Sequence, residues 1–188
     1  MDKFSLTEPA LKAVMDTATT ATALKTLSQH SGLKPWKLCG KDLIPVVQGG
    51  MGVGVSAGGL AGTVAGMGGL GTISSVDLRR LHPDLMEKTG HLDKEPDSKQ
   101  LIDAANLEAL DREIKRAQAI SQGRGVIAVN MMRALSAYEA YVRQALASGA
   151  DALVVGAGLP LDLPDLAREF PATALIPILS DARGVQLL

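Results

Sequence analysis

The chain has 188 residues, a formal net charge of −1 and only 3% aromatic residues. Its length accommodates one domain with a substantial core, its charge leaves no electrostatic footprint for a nucleic acid, and its few aromatics exclude a base-stacking platform. A single cysteine, Cys39, excludes a disulfide framework and a cysteine-rich zinc site; with no apolar run long enough for a bilayer and no signal-peptide core after Asp2 and Lys3, a soluble cytoplasmic protein without membrane contact is expected.

Residues 1–30 are predicted to be helical. Leu6, Leu11, Val14, Leu24 and Leu27 fall near helical spacing, Thr7-Glu8-Pro9 supplies a start, and Gly32 and Pro35 end the segment. Residues 1–33 are therefore set apart as an N-terminal helical extension, with His30 at its surface end. Leu33 to Gly40 reads as a lead-in that Trp36 packs onto the core, and Lys41-Asp42 as a turn. Cys39 reads as a buried or half-buried small residue, with a reactive thiol as the lesser alternative.

The organising stretch is Leu43 to Ser74. Leu43 to Val47 is an apolar, β-branched run that predicts a buried parallel strand. It breaks into Gln48-Gly49-Gly50-Met51-Gly52-Val53-Gly54, followed by a small-residue helix from Ser56, its expected N-cap, to Ala65. A second strand covers Leu70 to Ser74, completing a βαβ unit. Two readings of the glycines stand: tight turns with close packing, or a backbone that a flat ligand can approach. Their position at a strand's carboxyl end, where parallel sheets bind ligands, favours ligand contact. No GxxxxGK[ST] occurs. The GxGxxG register is incomplete, and Ser74 and Ser75 stand where a dinucleotide fold needs an acid.

Residues 75–98 are polar and charged, with a break at His82-Pro83-Asp84. They read either as a flap over a substrate or as a surface insertion. His82 and His91 lack carboxylates at metal-ligand spacing, so no zinc site is expected. Asn106 to Ser121 is predicted as a helix, with Leu107, Leu110, Ile114 and Ala117 inward. Glu108, Asp111, Arg112, Glu113, Lys115 and Arg116 face water, and Glu108-Arg112 and Asp111-Lys115 form i,i+4 pairs. Val126 to Met132 is the third strand. Its Asn130 either ties down a loop or presents its amide to a ligand; a buried amide must find a partner, at a cost of about 1–3 kcal/mol if it does not. A helix from Ala137 to Ser148 leads to a fourth strand, Asp151 to Val155, and a second glycine turn, Gly156 to Pro160. A short helix (Leu163 to Phe170), a fifth strand (Ala174 to Leu179) and a helix capped near Ser180-Asp181 complete the chain.

Several of these segments together resemble the nitronate monooxygenase (2-nitropropane dioxygenase-like) family of FMN-dependent oxidoreductases. The matching residues are Ile44-Pro45-Val46-Val47-Gln48-Gly49-Gly50-Met51, Leu60-Ala61, Gly68-Gly69-Leu70-Gly71, Asn106 to Leu110, Val129-Asn130, and Gly156 to Pro160 with Asp162-Leu163-Pro164. The resemblance covers about Lys34 to Leu188. It implies an α/β fold of the TIM (β/α)8-barrel type, present here as about five β/α units. Such barrels typically need about 250 residues, so residues 34–188 are expected to be the amino-terminal part of a longer barrel. The remaining half, or a second copy, would be the partner.

The resemblance further implies FMN as cofactor, NAD(P)H as reductant, and a nitronate as small-molecule substrate. Gln48, Gly49, Gly50, Met51, Gly71, Thr72, Asn130 and Gly156 would hold the flavin ring, with amides near Gly50 and Met51 facing the negative charge of the reduced ring. The family's catalytic His and its main phosphate loops follow later strands, so no residue here takes the catalytic role and little turnover is expected of this chain alone. Three alternatives stand beside this reading. They are a flavin-dependent enoyl-thioester reductase, an inosine-monophosphate-dehydrogenase-like barrel, and a non-catalytic half-barrel that self-associates through its unpaired edges.

Overall fold

A computed structural model describes residues 17–94 and 98–188. The expected start at Thr7-Glu8-Pro9, and Leu6, Leu11 and Val14, lie outside the described residues. Helix α1, Thr17–His30, is the described part of that segment. Its apolar stripe is only partly used: Leu24 is half-buried and Leu27 is 64% exposed.

The lead-in is a β-hairpin. Strands β1 (Trp36–Leu38) and β2 (Lys41–Leu43) pair antiparallel, with Trp36 opposite Leu43. The turn falls at Cys39-Gly40 rather than at Lys41-Asp42. Both turn residues have positive φ, 50° and 71°, the geometry that matches a two-residue turn to the twist of its strands. Lys41 therefore belongs to a strand. Its ammonium bonds Gly125 O at 2.7 Å and both Asp151 carboxylate oxygens at 3.0 Å, clamping the hairpin to the sheet. The Cys39 thiol donates to Asp151 O at 3.1 Å, and burial raises its pKa, which disfavours the reactive thiolate.

The predicted buried strand from Leu43 to Val47 is corrected. Pro45 has no N–H, and Val46 N turns back to Ile44 O at 2.7 Å in a γ-turn. Only a remnant of a parallel ladder survives. Leu70 N bonds Val46 O at 3.0 Å, Gln48 N bonds Leu70 O at 2.9 Å, and Val47 bridges Leu70. Val46 and Val47 are 47% and 60% exposed.

Four strands follow in one parallel sheet: β3 (Leu70–Ser74), β4 (Val126–Met132), β5 (Ala152–Gly156) and β6 (Ala174–Pro177), ordered as in sequence. Helix α2 (Gly58–Gly66) precedes β3; between the strands lie α3 (Pro83–Thr89), α4 (Lys99–Ser121), α5 (Tyr138–Ala147) and the short α6 (Leu163–Leu166); α7 (Ala182–Leu187) ends the chain. Period-two alternation gives the sheet two different faces. Ile73, Ile127, Val129, Met131, Leu153 and Val155 pack against Ala61, Ala65, Leu110, Ile114, Ala117 and Val142 of the helices. Leu70, Val126, Ala128 and Ala152 point the other way, onto Leu43 and the hairpin. Sequential parallel strands with this helical layer on one face are compatible with a partial α/β barrel.

Residues 75–94 are not a loose loop. A 3-10 turn (Leu78–Leu81), α3 and a second 3-10 turn (Gly90–Lys94) form a helical insertion. Leu78 and Leu85 sit in the main core, and Arg112 of α4 grips Asp84 with two bonds of 2.9 and 2.8 Å. Helix α4 starts seven residues before the predicted Asn106. The expected pairs Glu108-Arg112 and Asp111-Lys115 both form. Glu113, expected in water, is 2% exposed. At the chain's end Asp181 caps α7 as expected, accepting Gly184 N at 2.8 Å.

Candidate functional site

The predicted site residues fall on the segment after Val47, within β3 and β4, and at the end of β5. On one side the chain leaves the ladder at Gln48. Its side-chain Oε1 accepts Thr72 N at 3.0 Å, and its Nε2 donates to Thr72 O at 3.1 Å. Nε2 also reaches Ser56 Oγ at 2.9 Å and contacts Gly49 O. Ser56, fully buried, is not the N-cap of α2. That position is Ala57, which supplies no side-chain cap. Ser56 Oγ instead accepts Met51 N at 2.8 Å and donates to Gly49 O at 3.2 Å, folding Gly49–Met51 into a fixed turn.

A consequence concerns the backbone donors. Met51 N–H is committed to Ser56, so it is not open to a ligand. No hydrogen bond involves the N–H of Gly49 or Gly50 among the described residues. Gly50 lies against Asn130, where an added Cβ would meet Asn130 Cβ at 2.7 Å and Oδ1 at 2.8 Å. The Asn130 amide donates through Nδ2 to Val154 O at 3.2 Å. This ties β4 to a strand, β5, rather than to a loop.

These groups wall a cavity of about 570 Å³, lined by Trp36, Leu38, Val47, Gly49, Gly50, Leu70, Thr72, Asn130, Val154, Ile176 and Ile178. That volume suits a small-molecule site. Its lining has no charged side chain, one amide, one hydroxyl and a predominance of aliphatic groups. The cavity therefore offers an uncharged, mostly apolar surface to a flat ligand, with donors at one edge. A second cavity of about 430 Å³ lies under α1 around Lys25, Asp42 and Arg124. It shares no glycine-loop residue with the first.

Four of the eight predicted positions line the cavity together: Gly49, Gly50, Thr72 and Asn130. The other four do not. Gln48 spends its amide inside the protein, and Met51 is 44% exposed with its N–H engaged. Gly71 faces α2, where a Cβ would fall 1.9 Å from Ala61 O, so close strand–helix packing accounts for that glycine. Gly156 accepts Arg133 N at 2.8 Å. A Cβ on Gly156 would stand 3.2 Å from Ile178, which this cavity shares with a separate one of about 540 Å³ that the second glycine turn lines through Ala157, Gly158 and Leu159.

Sequence reasoning missed Ser56 as the hub of the loop, Ile178 as the link between the turns, and Trp36 as cavity wall. Trp36 was assigned to core packing, which it does through Nε1–H to Ile44 O at 3.2 Å.

None of the histidines lines the cavity. His30 is exposed, with Nδ1 2.8 Å from Thr26 O. His82 Nε2 lies 3.2 Å from Glu113 Oε1, without hydrogen-bond geometry, on the helical face of the sheet. His91 is exposed. Among the described residues no group of three or more metal-ligating side chains converges, and no helix is long and apolar enough to cross a membrane. No family model and no curated protein matches the chain.

Proposed function

We propose that this chain is the ring-binding part of an FMN-dependent oxidoreductase of the nitronate monooxygenase type, built on a (β/α)8 barrel of which residues 34–188 form the amino-terminal portion. One observation carries the proposal. An uncharged, mostly apolar cavity on the helix-free face of the parallel sheet, running from Leu70 to Ile178, is edged by the uncommitted N–H groups of Gly49 and Gly50 and lined by Asn130, whose Nδ2 is held by Val154 O.

The residues present suit the isoalloxazine ring. Aliphatic walls at Leu70, Val154 and Ile176 would cover a ring face, and the free N–H donors would meet an electron-rich edge. No cation lines the cavity, so these residues do not serve the phosphate. Bound here, FMN would supply the electron transfer, while the protein supplies position, water exclusion and hydrogen bonds.

The test is a titration of the purified chain with FMN, following flavin emission and Trp36 fluorescence. Saturable quenching of both is expected; no change in either overturns the proposal. Efficient oxidation of a nitronate by the chain with FMN would overturn the expectation of little turnover. Reduction of an enoyl thioester by flavin-loaded protein would select the reductase alternative.

A second reading has its own support. Val46, Val47 and Ile178, at 47%, 60% and 54% exposure, leave the cavity side of the sheet partly uncovered, and such apolar surface favours association. A concentration-dependent dimer that fails to quench FMN would favour the non-catalytic half-barrel.

A further inference from the structure

The ladder between the Ile44–Gln48 segment and β3 ends in an unusual rung. Leu70 is paired on both sides, through its N–H to Val46 O and its C=O to Gln48 N. A continued parallel ladder would next join Thr72 N to Gln48 O and Thr72 O to Gly50 N. Both Thr72 groups go instead to the side-chain amide of Gln48, at 3.0 and 3.1 Å. A carboxamide carries an acceptor and a donor side by side, as a peptide edge does. The side chain thus completes the rung, and the main chain is released from it.

We infer that Gln48 is a positioning residue whose amide substitutes for the backbone of the next rung, releasing Gly50 N–H into the cavity as a donor to the ligand, an inference that rests on the flavin-ring reading for the ligand's identity. The geometry explains three facts together. Gly50 N–H has no protein acceptor among the described residues. Gly49 and Gly50 turn inward far enough for Gly50 to touch Asn130. Ser56, reached by the same Gln48 Nε2, fixes the far end of the turn through Met51 N. Without the amide, Thr72 N and O would be left unpaired beside a buried strand, or Gly50 would be drawn back to pair with them and the cavity edge would close.

Gln48→Glu tests this by pH. Around the Gln48 amide stand Ser56 and the main chain of Gly49 and Thr72, and no titratable side chain lines the adjoining cavity. At about pH 8 the new carboxylate can only accept, so it opposes Thr72 O. At about pH 4, below the ordinary glutamate value of about 4.3, most of it is protonated and regains the donor. The probe is riboflavin, which carries the ring without the phosphate. Its affinity is expected to fall at least about tenfold in Gln48→Glu at the higher pH, with most of the loss recovered at the lower pH. Wild-type affinity should stay level. An unchanged affinity, or an equal loss at both pH values, overturns the inference.

Two readouts do not depend on flavin. Trp36 emission, measured without ligand, is expected to shift between the two pH values in Gln48→Glu and not in wild type; no shift counts against the inference. In Gln48→Met, exchange of Thr72 N–H should accelerate at least about tenfold relative to Leu70 N–H, whose acceptor is untouched. Equal acceleration of the two amides overturns the surrogate rung. If wild type does not bind riboflavin while these two changes appear, the flavin reading fails and the surrogate rung stands.

Discussion

Gly50 and Asn130 touch across the mouth of the sheet so closely that a methyl group on residue 50 would lie 2.7 Å from Asn130 Cβ. Gly49, its neighbour in the same turn, has open space where its Cβ would be. Gly50→Ala should therefore displace Asn130 or the turn and cost about 1–3 kcal/mol, as overpacking does. Gly49→Ala should stay within about 0.5 kcal/mol, as changes away from packed sites usually do. Thermal melts of both variants, with FMN titrations, check this; equal stabilities would mean that the contact yields easily.

Gly71 lies one strand-face away and serves a different purpose. Its missing Cβ would collide with the Ala61 carbonyl of α2 at 1.9 Å. Backbone cannot move aside as a side-chain tip can, so Gly71→Ala should cost more than Gly50→Ala and should impair folding itself. Soluble yield and helical circular dichroism are the measurements. A well-folded Gly71→Ala would show that α2 can slide on the sheet.

Glu113 is the buried acid that joins α4 to α2. Its Oε2 accepts Gly58 N at 2.7 Å, and Arg116 stands 3.8 Å away. Glu113→Ala removes a charged acceptor and leaves an orphaned N–H at a helix start, so a loss of about 2–3 kcal/mol is expected. Glu113→Gln keeps an acceptor and should lose less. Urea denaturation of the two variants tests the order.

Asp151 should matter more than its partner Lys41. Asp151 Oδ2 also accepts Ile127 N at 2.9 Å, so Asp151→Ala breaks both the clamp and a bond to β4. About 2–3 kcal/mol is expected for Asp151→Ala, and less for Lys41→Met, which replaces the clamp with an apolar stem. A reversed order in chemical denaturation would refute this assignment.

The two tyrosines, Tyr138 and Tyr141, are 2% and 5% exposed, and burial raises both pKa values to about 12. Nearby aspartates add to the rise: Asp162 for Tyr138, Asp103 and Asp77 for Tyr141. An unfolded tyrosine ionises near 10. The contribution of the neutral phenols is thus fully present below about pH 10 and is lost as pH rises toward about 12. Ultraviolet titration should show no phenolate step near pH 10 in the folded protein. A full step there would contradict the burial.

Much of the fold could be read directly. Val126 to Met132 and Asp151 to Val155 read as apolar runs bounded by turn residues, and the first is a strand as read, the second a strand shifted by one residue to Ala152–Gly156. The pairs Glu108-Arg112 and Asp111-Lys115 follow from helical spacing alone. Glu113 was misread because a pattern of charges at that spacing describes a helix surface. Nothing local signals that a second helix start will lie on it. The run Ile44 to Val47 was misread because its composition is that of a strand, while Pro45 and the γ-turn interrupt its pairing.

The amino acids alone determined the four strands of the parallel sheet, the helices between them, and that a glycine turn follows β5, because backbone preference and apolar period act over a few residues. Only the tertiary structure decided which glycines face a helix and which face a cavity, and that Gln48 would complete a rung in place of the main chain. Those outcomes depend on the carbonyl of Ala61, the side chain of Asn130 and the edge of Thr72, partners brought near by packing across the sheet rather than by neighbourhood along the chain.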